Sequence, residues 1–216
     1  MTKINLAHLA TCRDAMGPGL RVMVWVQGCP HRCAGCITPG MLAFRERELI
    51  EPERLVARIL RMSPEIEGVT LVGGEPFSQA AALSAVADIL RHEHDKGVIC
   101  YSGYTLAELR EGQDSGWSRL LDRVDLLIDG RYVREEATDR LWRGSSNQTL
   151  HFLTERYRPL EKLLQFARGS VLDFQVDREG HLVALGIPPP GAWTELLTRL
   201  RARGLHVSPS APPPAN

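Results

Sequence analysis

Leu20-Arg-Val-Met-Val-Trp-Val-Gln-Gly28, followed at once by Cys29-Pro-His-Arg-Cys33-Ala-Gly-Cys36, is the stretch on which the reading of this chain turns. The apolar run predicts a buried strand with a glycine at its exit. Three cysteines then share one short loop at CxxxCxxC spacing, where each thiolate can take one iron of a 4Fe–4S cube. Such a cube wants four ligands and the loop supplies three, so one iron stays open to a ligand other than cysteine. An open iron beside a strand end points to a catalyst rather than to an electron carrier. The alternative for the same thiols is a zinc site completed by His31 or Cys12, since zinc accepts three thiolates with an imidazole, or four thiolates. Outside that alternative, His31 reads as an exposed loop residue.

Working outward, 216 residues suffice for one sizeable core or one domain with an appendage. The formal net charge is zero, which gives no long-range field to attract nucleic acid or an anionic membrane. No apolar stretch approaches membrane-spanning length and the amino terminus has no continuous signal-peptide core, so the expected location is the cytoplasm. Thiols stay reduced there, and clustered cysteines are then metal-binding or catalytic rather than disulfide-bonded. Beyond the trio only Cys12 and Cys100 remain, too few for a second cluster with its own four cysteines. Both read as small buried hydrophobes.

After the cysteine loop, helix-like and strand-like segments alternate, the pattern of an α/β fold with a mostly parallel sheet. Pro52 to Ile66 has apolar residues at helical spacing, Gly68 to Val72 reads as a strand ending at Gly73-Gly74, and Ser78 to Lys96 as an alanine-rich helix capped by Gly97. Val98 to Tyr101 and Val124 to Ile128 are further strands, Thr149 to Leu153 a candidate fifth, and Thr105 with Glu108 forms a capping box. Right-handed crossovers would wind these units into a sheet or partial barrel, with chemistry at the carboxyl ends of the strands. There lie the cysteine loop, Gly73-Gly-Glu-Pro76, Tyr101-Ser-Gly-Tyr-Thr105 and Asp129-Gly-Arg131. Near residue 165 the character changes: a hairpin is expected over 171–185, a short helix over 192–203 and a disordered tail over 208–216.

The cysteine trio at the exit of one strand, with Gly73-Gly-Glu-Pro76 after the next, resembles the radical S-adenosylmethionine (SAM) superfamily. Gly17-Pro-Gly-Leu-Arg21, Tyr101 to Thr105, Asp129-Gly-Arg131 and Arg143-Gly-Ser-Ser-Asn-Gln148 narrow the likeness to activating proteins of anaerobic ribonucleoside-triphosphate reductases, over about residues 4–155. The resemblance implies a partial (β/α) barrel over 1–165; the hairpin and helix over 166–207 read as an extension with no counterpart in a minimal activase. It also implies reductive cleavage of SAM to a 5′-deoxyadenosyl radical that abstracts a hydrogen. The substrate implied is a glycine of a glycyl radical enzyme such as anaerobic ribonucleotide reductase, and the electron donor a flavodoxin or ferredoxin. Cys29, Cys33 and Cys36 would hold the one 4Fe–4S cluster. Gly35, Cys36, Ile37, Gly73, Gly74, Glu75, Tyr101, Ser102 and Asp129 would contact SAM. Where the superfamily often has an aromatic residue before the last cysteine, this chain has Gly35.

The physical reading of these positions leaves alternatives. Two glycines at a strand exit let backbone approach a ligand, and Glu75 would suit the local potential to the methionyl ammonium; alone, the same residues are a turn. Tyr101 and Ser102 are either site walls or core. Asp129 either orients SAM or a monovalent cation, or ends a strand. Residues 143–148 either shape a substrate rim or satisfy loop backbone. Two further functions compete with the activase: radical chemistry on a small molecule or another peptide, and a zinc-stabilised interaction module without catalysis.

Overall fold

The computed structural model describes residues 2–176 and 182–205. Strands β1 (Ile4–Arg13), β2 (Leu20–Val26), β3 (Glu48–Ile50), β4 (Gly68–Gly73), β5 (Gly97–Ser102), β6 (Leu126–Asp129) and β7 (Thr149–Phe152) form one sheet in the order β3-β1-β2-β4-β5-β6-β7. β2, β4, β5 and β6 run parallel in its centre, while β1 and β3 on one side and β7 on the other are antiparallel additions. The result is a mixed α/β fold around a mostly parallel central sheet. No helix among the described residues is long and apolar enough to cross a membrane.

Strand alternation divides the core by face. Val22, Val24, Val69, Leu71, Val98 and Cys100 face helices α1 (Pro52–Met62) and α2 (Ala80–His92), packing on Leu55, Ile59, Leu83, Val86 and Leu90. Met23, Trp25 and Val72 point to the other face, as do Ile99, Leu126 and Ile128, which meet Trp142 and Tyr157. Both faces are therefore covered, which is why the central strands read as continuous apolar runs. Two short helices, α3 (Leu106–Glu111) and α4 (Ser115–Leu121), link β5 to β6, and α3 opens with both halves of the Thr105–Glu108 capping box in place.

At the amino end of β2 the inner face is closed by a cation. Arg21 is fully buried; its Nε donates to Thr70 Oγ1 at 2.9 Å and its Nη1 to Tyr157 Oη at 2.7 Å. Nη2 donates to the carbonyls of Val69 at 2.5 Å and Gly97 at 3.1 Å. Gly17-Pro-Gly-Leu-Arg21 thus belongs to the end of the sheet remote from the cysteines. A Cβ at Gly17 would stand 2.9 Å from the Arg21 side chain and 2.6 Å from Ile99.

Several sequence expectations need correction. Gly97 does not cap α2, which ends at His92; it opens β5, where a Cβ would collide with the Tyr157 hydroxyl. The left-handed turn after the helix falls instead on Asp95, at φ +49°. The sequence pattern does not announce β1 and β3, because a bulge between Leu6 and His8 breaks the alternation of β1 and β3 has only 3 residues. The expected hairpin is present as β8 (Asp173–Val176) and β9 (Leu182–Leu185), followed after a short helix-free turn by α6 (Ala192–Ala202); α5 (Glu161–Phe166) precedes them. Leu185 packs with Ala10, Cys12, Ala15 and Met23, and Gln175 Nε2 donates to the Thr11 carbonyl at 2.5 Å. The hairpin loop at 177–181 and the tail expected at 208–216 lie outside the described residues.

Candidate metal centre

Parallel register brings the interesting segments to one edge. Val26 pairs with Gly73 and Ser102 with Asp129, so the cysteine loop, the Gly-Gly-Glu-Pro turn, 102–105 and 129–131 all leave the sheet at its carboxyl edge. The cysteine loop is pinned from behind: Gly28 and Cys29 donate to the carbonyls of Met41 and Leu42 at 2.8 and 3.0 Å, and Gly28 accepts from Glu75 N at 2.8 Å. Thr38 Oγ1, unremarked in the sequence, donates to the Gly73 carbonyl at 3.0 Å and lies 3.6 Å from Cys36 Sγ. Cys36 N donates to Cys33 O at 3.2 Å, closing the turn between these two thiols.

Cys29 is buried while Cys33 and Cys36 are half-buried. Burial pushes the Cys29 thiol upward, against backbone N–H groups of His31 and Arg32 that favour its thiolate. N–H groups aimed at a sulfur suit a thiolate ligand, and three such thiols in one loop fit the donor set of a 4Fe–4S cluster. Among the described residues no three histidine, cysteine or acidic side chains converge on a single-ion position. Neither candidate for a fourth zinc ligand is suitably placed. Cys12 pairs with Arg21 at the far end of β2, on the order of 16 Å along the strand from its exit at Val26, with the cysteine loop beyond that exit. His31 turns its Nε2 toward Glu75.

Glu75 is the electrostatic centre of the edge. It is 1 % exposed; Oε1 accepts from Phe77 N at 2.9 Å and Ser102 Oγ at 3.0 Å, and Oε2 accepts from Gly103 N at 2.8 Å. Its carboxylate joins the exits of β4 and β5. The sequence expectation that it mainly sets the potential for a ligand ammonium is thus supplemented by an internal duty. Ser102 is engaged likewise, its hydroxyl also accepting from Tyr104 N at 3.0 Å. Tyr101 is half-buried against the inner-face clusters: its hydroxyl donates to the Trp142 carbonyl at 2.9 Å, and burial of that group pushes its phenol far above the usual range.

The glycine pair also has a structural reason. A Cβ at Gly74 would collide with the Gly28 carbonyl oxygen, and one at Gly73, where φ is +102°, would stand 2.7 Å from Val26 N. The space a side chain would take is filled by the β2 exit. Gly74→Ala is therefore expected to destabilise the fold by about 2–3 kcal/mol, because only backbone can give way, and to displace the cysteine loop. Urea unfolding with an iron assay of the reconstituted variant checks both effects.

Asp129 Oδ2 accepts from Leu106 N at 2.6 Å, so it ties α3 to the end of β6, and it faces His151 Nε2 of β7 at 2.9 Å. In 143–148, Gln148 Oε1 accepts from Gly144 N at 2.7 Å, Gln148 Nε2 donates to Gly130 O at 2.9 Å and Asn147 Nδ2 to Arg131 O at 2.9 Å. These bonds satisfy loop backbone. Ile37 is 62 % exposed beside Cys36, and Gly35, at φ +79°, has the Arg134 guanidinium lying over it, 2.8 Å from where a Cβ would be.

Residues 15–151 match the model of a family described as a 4Fe-4S single cluster domain. Among curated relatives, the anaerobic ribonucleoside-triphosphate reductase-activating protein of Vibrio cholerae is 36 % identical over 146 residues, covering 64 % of this chain and 91 % of the relative. The protein of the same name from Enterobacteria phage T4 is 29 % identical over 151 residues, 68 % of this chain and 93 % of the relative. Among solved structures, QueE from Escherichia coli aligns with a TM-score of 0.41 at 18 % identity, covering 59 % of this chain and 69 % of that one.

Proposed function

This chain belongs to the radical SAM family of anaerobic ribonucleoside-triphosphate reductase-activating proteins, and from that premise we propose that it removes a hydrogen atom from a glycine of a partner reductase, leaving a glycyl radical. Reductive cleavage of the SAM sulfonium, coupled to hydrogen transfer from the glycine Cα, is the chemistry that a 4Fe–4S cluster and SAM supply when bound. The chain's own contribution is ligation, orientation and shelter from water. Cys29, Cys33 and Cys36 would hold the cluster, with the His31 and Arg32 N–H groups favouring the Cys29 thiolate. Gly35, Ile37, Gly73, Gly74, Glu75, Tyr101, Ser102 and Asp129 would frame SAM, those already engaged internally fixing the walls rather than touching the cofactor.

The single observation that carries this reading is the meeting of four strand exits at one edge, with the only three-cysteine loop among them. On this proposal the sheet is a partial barrel over 1–165 whose open side admits a protein loop, and 166–207 is an extension. The β8–β9 hairpin supports an open site: it bonds to Thr11 and Arg13, which pair with the amino end of β2, away from the cysteines. A cytoplasmic flavodoxin or ferredoxin as electron donor completes the proposal. Anaerobic mixing of the reconstituted protein with SAM, dithionite and the candidate reductase is expected to give a glycyl doublet in electron paramagnetic resonance. SAM cleavage without a doublet on a competent reductase would move the reading to another peptide or a small molecule.

A further inference from the structure

His31, between the first two cysteines, is not the exposed loop residue its sequence suggests: its side chain is only 4 % exposed. The ring fills the space a side chain would need at Gly103, and stacks edge-on against Tyr104 with centroids 4.3 Å apart. Tyr104 in turn packs on Trp117 of α4 at 4.6 Å, and Trp117 Nε1 donates to the Phe77 carbonyl at 2.9 Å. Phe77 N donates to Glu75, and the Glu75 carboxylate returns to His31, whose Nε2 stands 3.3 Å from Oε2. A closed ring of contacts thus runs from the cysteine loop through 102–105, α4 and the Gly-Gly-Glu-Pro turn back to the cysteine loop. Yet His31 Nε2 makes no hydrogen bond within the described residues, an unusual condition for a buried nitrogen.

We propose that His31 is a positioning residue that sets the spacing between the cysteine loop and the Glu75 turn, and so between a bound cluster and the segments that frame SAM. This rests on the function proposed above. The ring supplies shape against Gly103 and Tyr104; the tether is the close polar contact of Nε2, 3.3 Å and outside hydrogen-bond alignment, with the carboxylate that already holds Gly103 N and Phe77 N. Remove the tether and the thiols remain, so ligation should survive. What changes is where the cluster stands relative to the neighbouring strand exits, and a displacement of about 1 Å in such a site is enough to weaken its function many-fold.

Two full-length variants separate the two contributions. His31→Phe keeps the ring and loses the tether; His31→Gln keeps an N–H within reach of Glu75 and loses the ring. Each is reconstituted anaerobically beside the unsubstituted protein, assayed for iron, and titrated with SAM while the spectrum of the dithionite-reduced cluster is followed by electron paramagnetic resonance. The expected result is an iron content equal to that of the unsubstituted protein in both variants. His31→Phe should need about tenfold more SAM for the spectral change, and His31→Gln should recover to within about threefold. Without cluster or SAM, amide exchange at Gly103 should be about tenfold faster in His31→Phe. Superimposable titrations, equal weakening in both variants, or a folded His31→Phe protein that takes up no iron would each overturn the proposal. An unsubstituted protein that binds iron but never responds to SAM would instead sink the functional reading, and Gly103 exchange would then decide on the tether alone.

Discussion

Replacing Arg21 by methionine is expected to lower the stability of the native state by about 3–5 kcal/mol, one of the largest losses any single side chain here should cause. Methionine fills much of the same volume, so the effect isolates the polar end. Removal of the guanidinium takes a donor away from the Thr70 and Tyr157 hydroxyls and from the carbonyls of Val69 and Gly97, all in a buried pocket; Thr70 keeps only its own donation to the Met16 carbonyl at 3.0 Å. It also removes a cation 5.5 Å above the Tyr157 ring. Lysine should rescue little, because one ammonium on a flexible stem cannot reach groups arranged around a planar fork. For a chain of this size the thermal midpoint should fall by roughly 10 °C, read by calorimetry or circular dichroism. The cysteine loop lies at the other end of β2, so residual folded protein should still take up iron. An unchanged midpoint would mean that the buried guanidinium costs as much to desolvate as its hydrogen bonds return.

Arg21 also marks the boundary of what could be read from the chain alone. The central strands and the major helices were legible because apolar runs, glycine exits and one capping box are local signals. The cysteine trio was legible for the same reason: its ligands lie within eight positions of one another. Arg21 appeared only as the last letter of a resembling motif, since its partner Tyr157 is 136 residues distant. Glu75 shows the same limit. An acid after two glycines reads as facing a ligand; that its carboxylate also bonds Ser102 and Gly103 and so fastens two turns together is announced by no local pattern. A histidine between proline and arginine in a loop looks solvated; only the missing side chain of Gly103 makes room for the buried ring of His31. The edge strands escaped because pairing with β1 supplies what the 3 residues of β3 lack in intrinsic preference.

The five cysteines should separate into two classes, which gives the second large effect. Serine at Cys29, Cys33 or Cys36 is expected to abolish release of 5′-deoxyadenosine from SAM, to the level seen without protein, because a cube held by two thiolates of one loop loses a corner that nothing nearby can replace. Serine at Cys12 or Cys100 should leave cluster content and SAM cleavage within about twofold while costing about 1–2 kcal/mol of stability for a hydroxyl placed in an apolar site. Titration distinguishes the classes independently. Burial raises the Cys12 thiol to about 11 and pushes Cys100 well above the usual range, so both stay protonated at neutral pH in the folded protein. Iodoacetamide at pH 8 should therefore label the apo-protein within the trio and spare Cys12 and Cys100 until it unfolds. The sign of the linkage follows. Above pH 9 the unfolded chain releases the Cys12 proton while the folded protein keeps it, so the native state loses stability as pH rises from about 9 toward 11. Rapid labelling of native Cys12 at pH 8 would overturn its burial, and loss of bound metal in Cys12→Ser would return the four-thiolate zinc site to contention.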